Sequence, residues 1–155
     1  MNASILLPLA LTLTAGALSS MQPAFNGQLS GILGSPLKAA LVNFTAGALI
    51  MLSVVTLFAL RAGGISPERV AQVPWHLWIV GGALGAMFVT TATWATPKIG
   101  AGAFFAALYA GQLIMALALD HFGLLGLEQK PATLMRLLGV PLLLAGAWLI
   151  VNDGS

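Results

Sequence analysis

The chain has 155 residues, of which 59% are apolar and only 6% are Asp, Glu, Lys or Arg, and its mean hydropathy is +0.97. So little charge cannot cover the surface of a water-soluble fold, which makes this an integral membrane protein. The lack of cysteine excludes a disulfide framework, thiol catalysis and Cys-ligated metals, and six basic against four acidic residues are too few and too scattered for a nucleic-acid surface.

Five apolar runs are long enough to cross a bilayer, at about 5–32, 37–60, 77–96, 101–119 and 134–151. They predict an all-α, polytopic bundle of five transmembrane helices forming a single membrane domain over 1–155, without the alternation of a β-barrel. The first run begins "ILLPLALTLTAGALSS", which ends in small residues like a secretory signal. It lacks the basic segment such signals carry, so it is expected to remain as a span.

That first span is interrupted by "SSMQPAFNGQLSG". Pro23 removes a backbone donor and is predicted to break the helix, freeing carbonyls near Ser19 and Ser20. Ser19, Gln22, Asn26 and Ser30 fall on one helical stripe. A polar stripe beside a broken helix suits a midplane binding site, because irregular backbone survives at membrane depth only against protein or a wet cavity. The competing reading is a proline kink whose neighbours bond to other helices.

In the second run Asn43 and Gly47 lie one turn apart, a polar group next to a position of close approach. The third ends "TTATWATPKIG", with Thr90, Trp94 and Pro97 along one face. The fourth carries Phe105, Tyr109 and Gln112 as an aromatic and amide stripe. Taken together these residues outline a cavity lined by aromatics and neutral amides, although each alone is more often a core position than a site. The fifth run has no polar stripe past Arg136 and reads as scaffold or dimer contact.

No Asp or Glu stands in the middle of a run. Asp120 and His121, at the end of the fourth, come closest, and two readings are open: a boundary ion pair with Lys130 or Arg136, or a proton or ion role. The missing counter-charge favours neutral or zwitterionic cargo over a cation. Small residues at packing spacing, Gly27 with Gly31, Gly81 with Gly85, and Ala103, Ala107 and Gly111, are expected to turn toward protein.

Alternate connections place Arg61, Arg69, Lys130 and Arg136 on one side and Lys38 and Lys98 on the other, which weakly favours an N-terminus inside the cell. The connections at 61–76 and 120–136 have no room for a soluble domain, and Trp75 and Trp78 suit interface anchors. "GAGAFFA" follows a span and is not a dinucleotide fingerprint, and no H-E-x-x-H, G-x-S-x-G or P-loop occurs. Asn43-Phe44-Thr45 matches a glycosylation sequon inside a span, where it is inaccessible. The chain is therefore not expected to be an enzyme or to need a cofactor or metal.

"MQPAFNGQLSGILGSPLKAALVNFTAGAL" and "LDHFGLLGLEQKPATLMRLLGVPLLLAGAWL" resemble the YdcZ-like family within the drug/metabolite transporter superfamily, over nearly the whole chain. The resemblance implies a multi-pass bacterial inner-membrane protein equivalent to one half of a ten-span, inverted-repeat transporter. Such halves pair with themselves in dual topology, as an antiparallel homodimer, or with a homologous five-span partner. Carried onto this chain, the family pattern points to Gln22, Asn26, Asn43, Gln112 and Asp120, while the embedded glutamate of small multidrug transporters has no counterpart. The expected function is a transporter or exporter subunit for a small neutral or zwitterionic molecule, working by alternating access. Gln22, Asn26, Asn43, Trp94, Tyr109 and Gln112 would bind the substrate. The alternative is a membrane assembly component that transports nothing, with lipid and another protein as its partners.

Overall fold

The computed structural model describes residues 3–64 and 66–152. They form α1 (Ala3–Ser19), α2 (Gln22–Leu33), α3 (Pro36–Ala62), α4 (Pro67–Ala71), α5 (Trp75–Ile99), α6 (Ala101–Phe122), a short 3₁₀ turn (Leu124–Gly126) and α7 (Leu134–Asn152), with no strand among the described residues. Five segments are long and apolar enough to cross a membrane: Ile5–Leu33, Pro36–Arg61, Trp75–Ile99, Ala101–Phe122 and Leu134–Asn152. The first comprises α1 and α2 in series. These agree with the five expected runs, and the differences lie at helix ends.

Each end has a local cause. Helix α2 stops at Gly34, whose φ of 68° is left-handed and costs glycine nothing; the Gly34 and Ser35 amides then close onto the Ser30 carbonyl. Pro36 occupies the first turn of α3, where its missing N–H is no loss. Helix α5 runs three residues beyond the expected end at Thr96, because Pro97 deprives only the Thr93 carbonyl of a donor. Helix α6 continues to Phe122 and is ended by Gly123, with φ of 62°. Within the 61–76 connection, the Ser66 hydroxyl accepts from the Arg69 amide and starts the short α4.

The chain divides into two compact units, one through Pro97 and one from Lys98. In the first, α2 packs on α3, and α5 touches both: a Cβ added to Gly27 would lie 3.2 Å from Pro97 Cγ, and one added to Gly85 3.4 Å from the Phe44 ring. In the second, α6 packs along α7, and a Cβ added to Gly102 would lie 3.2 Å from the Ile150 side chain. The remaining glycines of the expected packing rows, Gly31, Gly81 and Gly111, face open space. Close approach inside this chain is therefore made by Gly27 and Gly85 of the first two rows and not by Gly31 or Gly81.

Replacing Gly27 with Val should push Pro97 away and destabilise the protein by about 1–3 kcal/mol, as overpacking does elsewhere. Gly31→Ala, which enters open space, should leave the unfolding midpoint of the detergent-solubilised protein unchanged or slightly raised.

Candidate functional site

The break in the first span is built from backbone chemistry. Pro23 has no N–H for the Ser19 carbonyl, and the Ala24 amide bonds to the Met21 carbonyl at 3.2 Å instead of reaching back to Ser20. Upstream, the Ser19 and Ser20 hydroxyls donate to the Gly16 and Ala17 carbonyls at 2.9 and 2.7 Å. The helix therefore re-phases at Ser20–Met21. Ser19 turns outward, and the polar stripe that remains is Gln22, Asn26 and Ser30 on α2.

This stripe faces protein. Gln22 and Ser30 are half-buried, Pro23 and Asn26 are buried, and Gln28 is exposed. Asn26 keeps only 6% of its surface accessible, yet no hydrogen bond joins its amide to another described residue. On α3, Asn43 is half-buried and Gly47 is exposed.

Helix α5 supplies two further polar groups that the sequence reading passed over. Thr93 and Thr96 are buried, together with Val89, Ala92 and Ala95. The Thr93 hydroxyl donates to the Val89 carbonyl at 2.7 Å. Thr12, Thr14, Thr45, Ser53 and Thr56 satisfy themselves in the same way, one turn back. The Thr96 hydroxyl does not: it is buried and has no partner. Thr93, Thr96 and Pro97 share a flank of α5, and Pro97 is the residue that meets Gly27. Asn26 and Thr96, both buried, are the sequence neighbours of the two residues that meet there. Trp94, with 54% of its surface exposed, is not buried with the threonines.

In the second unit, Phe105 and Tyr109 stack at 5.6 Å and border an apolar groove of about 440 Å³ against α7, with Leu143 and Gly146 on its far wall. Gln112 belongs to the same stripe but is exposed and does not line that groove. At the far end of α6, the Asp120 carboxylate accepts from the Arg136 guanidinium at 2.8 Å, and the Asp120 carbonyl accepts from the Lys130 amide at 2.8 Å. The Lys130 ammonium turns to Glu128 at 3.6 Å. His121 Nδ1 accepts from the Ala132 amide at 3.1 Å, which places the neutral imidazole's proton on Nε2. Asp120 and His121 together fasten the loop that leads into α7.

No three His, Cys, Asp or Glu side chains gather among the described residues. The first unit offers neutral oxygens and amides at a broken helix, and the second offers apolar grooves between α6 and α7 and, separately, an ion pair at the end of α6. The threonines had a signal in the sequence: "TATWATP" sets Thr93 four residues before Pro97, and the face chosen from it, Thr90 to Pro97, is rotated away from Thr96.

Residues 7–149 match the family model DMT_YdcZ, described as "Putative inner membrane exporter, YdcZ". No match is found among curated proteins or among solved structures.

The Asp120–Arg136 pair joins the end of α6 to the first turn of α7, and neither side chain is fully buried. A double-mutant cycle with Asp120→Asn and Arg136→Gln should give a coupling of about 1–2 kcal/mol in unfolding free energy. A group that instead served to carry protons would show little coupling in stability and a large loss of transport.

Proposed function

Because the chain belongs to the YdcZ family of inner membrane exporters, we propose that it is a secondary transporter subunit that moves a small neutral or zwitterionic molecule by alternating access. It is a multi-pass protein of the inner membrane, and its family is one of exporters rather than enzymes. The observation that carries the proposal is the buried polar face of α2, which begins at the helix break and presents Gln22, Asn26 and Ser30 to protein instead of lipid. Polar groups are expensive at membrane depth and are retained where cargo or water meets them.

Gln22, Asn26 and Asn43 supply the amides of the first unit that hydrogen-bond cargo. Tyr109 and Gln112 form a polar stripe of the second unit, and Trp94 a separate aromatic flank of α5. An odd number of spans suits pairing between two copies of opposite orientation, which generates the inverted symmetry that alternating access uses. Four basic residues against two on alternate connections are a weak topological signal, so both orientations are accessible.

A second reading, a non-transporting assembly component, draws on Gly31, Gly81 and Gly111, whose open faces would admit another helix. The two readings separate in proteoliposomes. Counterflow of a panel of neutral and zwitterionic metabolites should identify at least one that is accumulated, and Gln22→Leu should cut its rate tenfold or more. A well-reconstituted protein that accumulates nothing favours the assembly component.

Orientation is testable independently, because a thiol placed at Ser66 is unique in this chain. In sealed cells about half of the Ser66→Cys protein should react with an impermeant reagent before permeabilisation if it inserts both ways. Labelling from one side only would mean a fixed half that needs an oppositely inserted partner.

A further inference from the structure

A secondary transporter is driven by an ion, and resting on the reading above, the question is which group in this chain could hold one. The four acidic residues are Glu68, Asp120, Glu128 and Asp153. Glu68 and Glu128 lie in connections, Asp153 follows α7 in sequence, and Asp120 is engaged by Arg136 at the end of α6. His76 stands at the start of α5 and His121 near the end of α6, with its Nδ1 already accepting from a backbone amide. The interior of every span therefore lacks a carboxylate or imidazole to carry a proton. A coupling ion held there must be held by neutral oxygen.

The α2–α5 contact offers such oxygens. The Thr96 hydroxyl is buried without a partner, in a protein whose other span hydroxyls repeatedly bond to the carbonyl one turn back. The Thr93 carbonyl on the same flank has lost its helical donor, because the residue four positions on is Pro97. Asn26, 6% accessible and without a hydrogen bond, brings an amide oxygen on the facing helix. The two helices touch at the next residues along, Gly27 and Pro97. Thr93 and Thr96 also lie in the last turns of α5, the end of a helix that carries partial negative charge.

We propose that Thr96, the Thr93 carbonyl and Asn26 form a site for a monovalent alkali cation, Na⁺, which is the coupling ion of transport. Hydroxyl, carbonyl and amide oxygens are the hard ligands such an ion takes, and broken or proline-interrupted helices are where membrane proteins expose them. A divalent ion is disfavoured by the same set, since it draws on carboxylates, and none is present. Water would complete the coordination shell. The orphaned hydroxyl is then a ligand awaiting its ion: its cost is borne in the ion-free protein and recovered on binding.

The test is cation-dependent stability of the purified full chain in detergent, with NaCl, KCl and choline chloride compared at equal ionic strength. The unfolding midpoint should rise saturably with Na⁺, by about 5 °C or more at a hundredfold excess over Kd, and not with choline. Thr96→Val should raise the midpoint in choline, because a buried unpaired hydroxyl is gone, and abolish the response to Na⁺. Thr96→Ser should restore that response. Equal wild-type midpoints in NaCl and choline chloride overturn the proposal, as does a full Na⁺ response in Thr96→Val, and water alone then explains the hydroxyl. If Thr96→Val does not fold, equilibrium binding of ²²Na⁺ to the wild-type protein decides, and no saturable binding overturns the site. Saturable Na⁺ binding by a protein that accumulates nothing in counterflow keeps the site and removes the transporter reading. Counterflow that persists without any Na⁺ response keeps the transporter and removes this site.

Discussion

In a bilayer every backbone amide and carbonyl must find its partner within the protein, and that requirement fixes where this chain can depart from regular helix. Most hydroxyls in the spans obey it trivially: Thr12, Thr14, Thr45, Ser53 and Thr56 fold back onto carbonyls of their own helices and so can be exposed on the helix surface. The prolines are the other case. Pro36 and Pro67 stand in first turns where no donor is needed; Pro23 stands in the first turn of α2 at the break that ends α1, whereas Pro97, like Pro8 and Pro141, lies inside a helix and leaves a carbonyl without its amide. Pro23 and Pro97 belong to helices that touch one another, and the buried Asn26 and Thr96 accompany them. Disturbed backbone and unpaired side chains occur together because each needs the same shelter from lipid.

Charge is managed by the opposite rule. Where the spans end, Asp120, Glu128, Lys130 and Arg136 pair among themselves, and backbone groups of the connection close onto Asp120 and His121. A carboxylate at the C-terminal end of a helix is disfavoured by the dipole, and Arg136 reverses that penalty. Of the two cations that spacing made available, the guanidinium is the one selected, at 2.8 Å. Its two-pronged geometry lets it donate to the Lys130 carbonyl as well, which a lysine ammonium at that position would do less well. The ion pair is therefore a clasp between α6 and α7.

The helical architecture was legible because hydropathy reports burial in lipid directly, and the five apolar runs map onto the five spans with shifts only at their ends. Those shifts have causes that composition does not carry: α6 ends where Gly123 turns left-handed, and α5 ends two residues past a proline that interrupts one bond without ending the helix. Rotation about a helix axis was much less legible. A membrane helix is apolar all round, so its pattern does not say which flank meets protein. The stripe through Thr90, Trp94 and Pro97 was consequently set on a flank rotated away from Thr96, and in the small-residue rows expected to turn toward protein Gly31, Gly81 and Gly111 meet nothing within the described chain. On α2 the stripe survived because asparagine and glutamine are rare enough in a span to mark the face themselves.

Polar chemistry is accordingly distributed unevenly along the chain. The unit through Pro97 holds the helix break, the buried amide and the buried hydroxyls, and it spends little of its surface on charge. The unit from Lys98 holds the clasp and two apolar grooves, of about 660 and 440 Å³, whose walls are almost entirely aliphatic and aromatic. A groove of that lining provides area and shape but little orientation, whereas amides and hydroxyls provide orientation and little area. Recognition of a small polar molecule needs direction first. For the small polar cargo proposed above, the first unit is the one whose groups could give orientation, and the α6–α7 grooves are the ones that could give area.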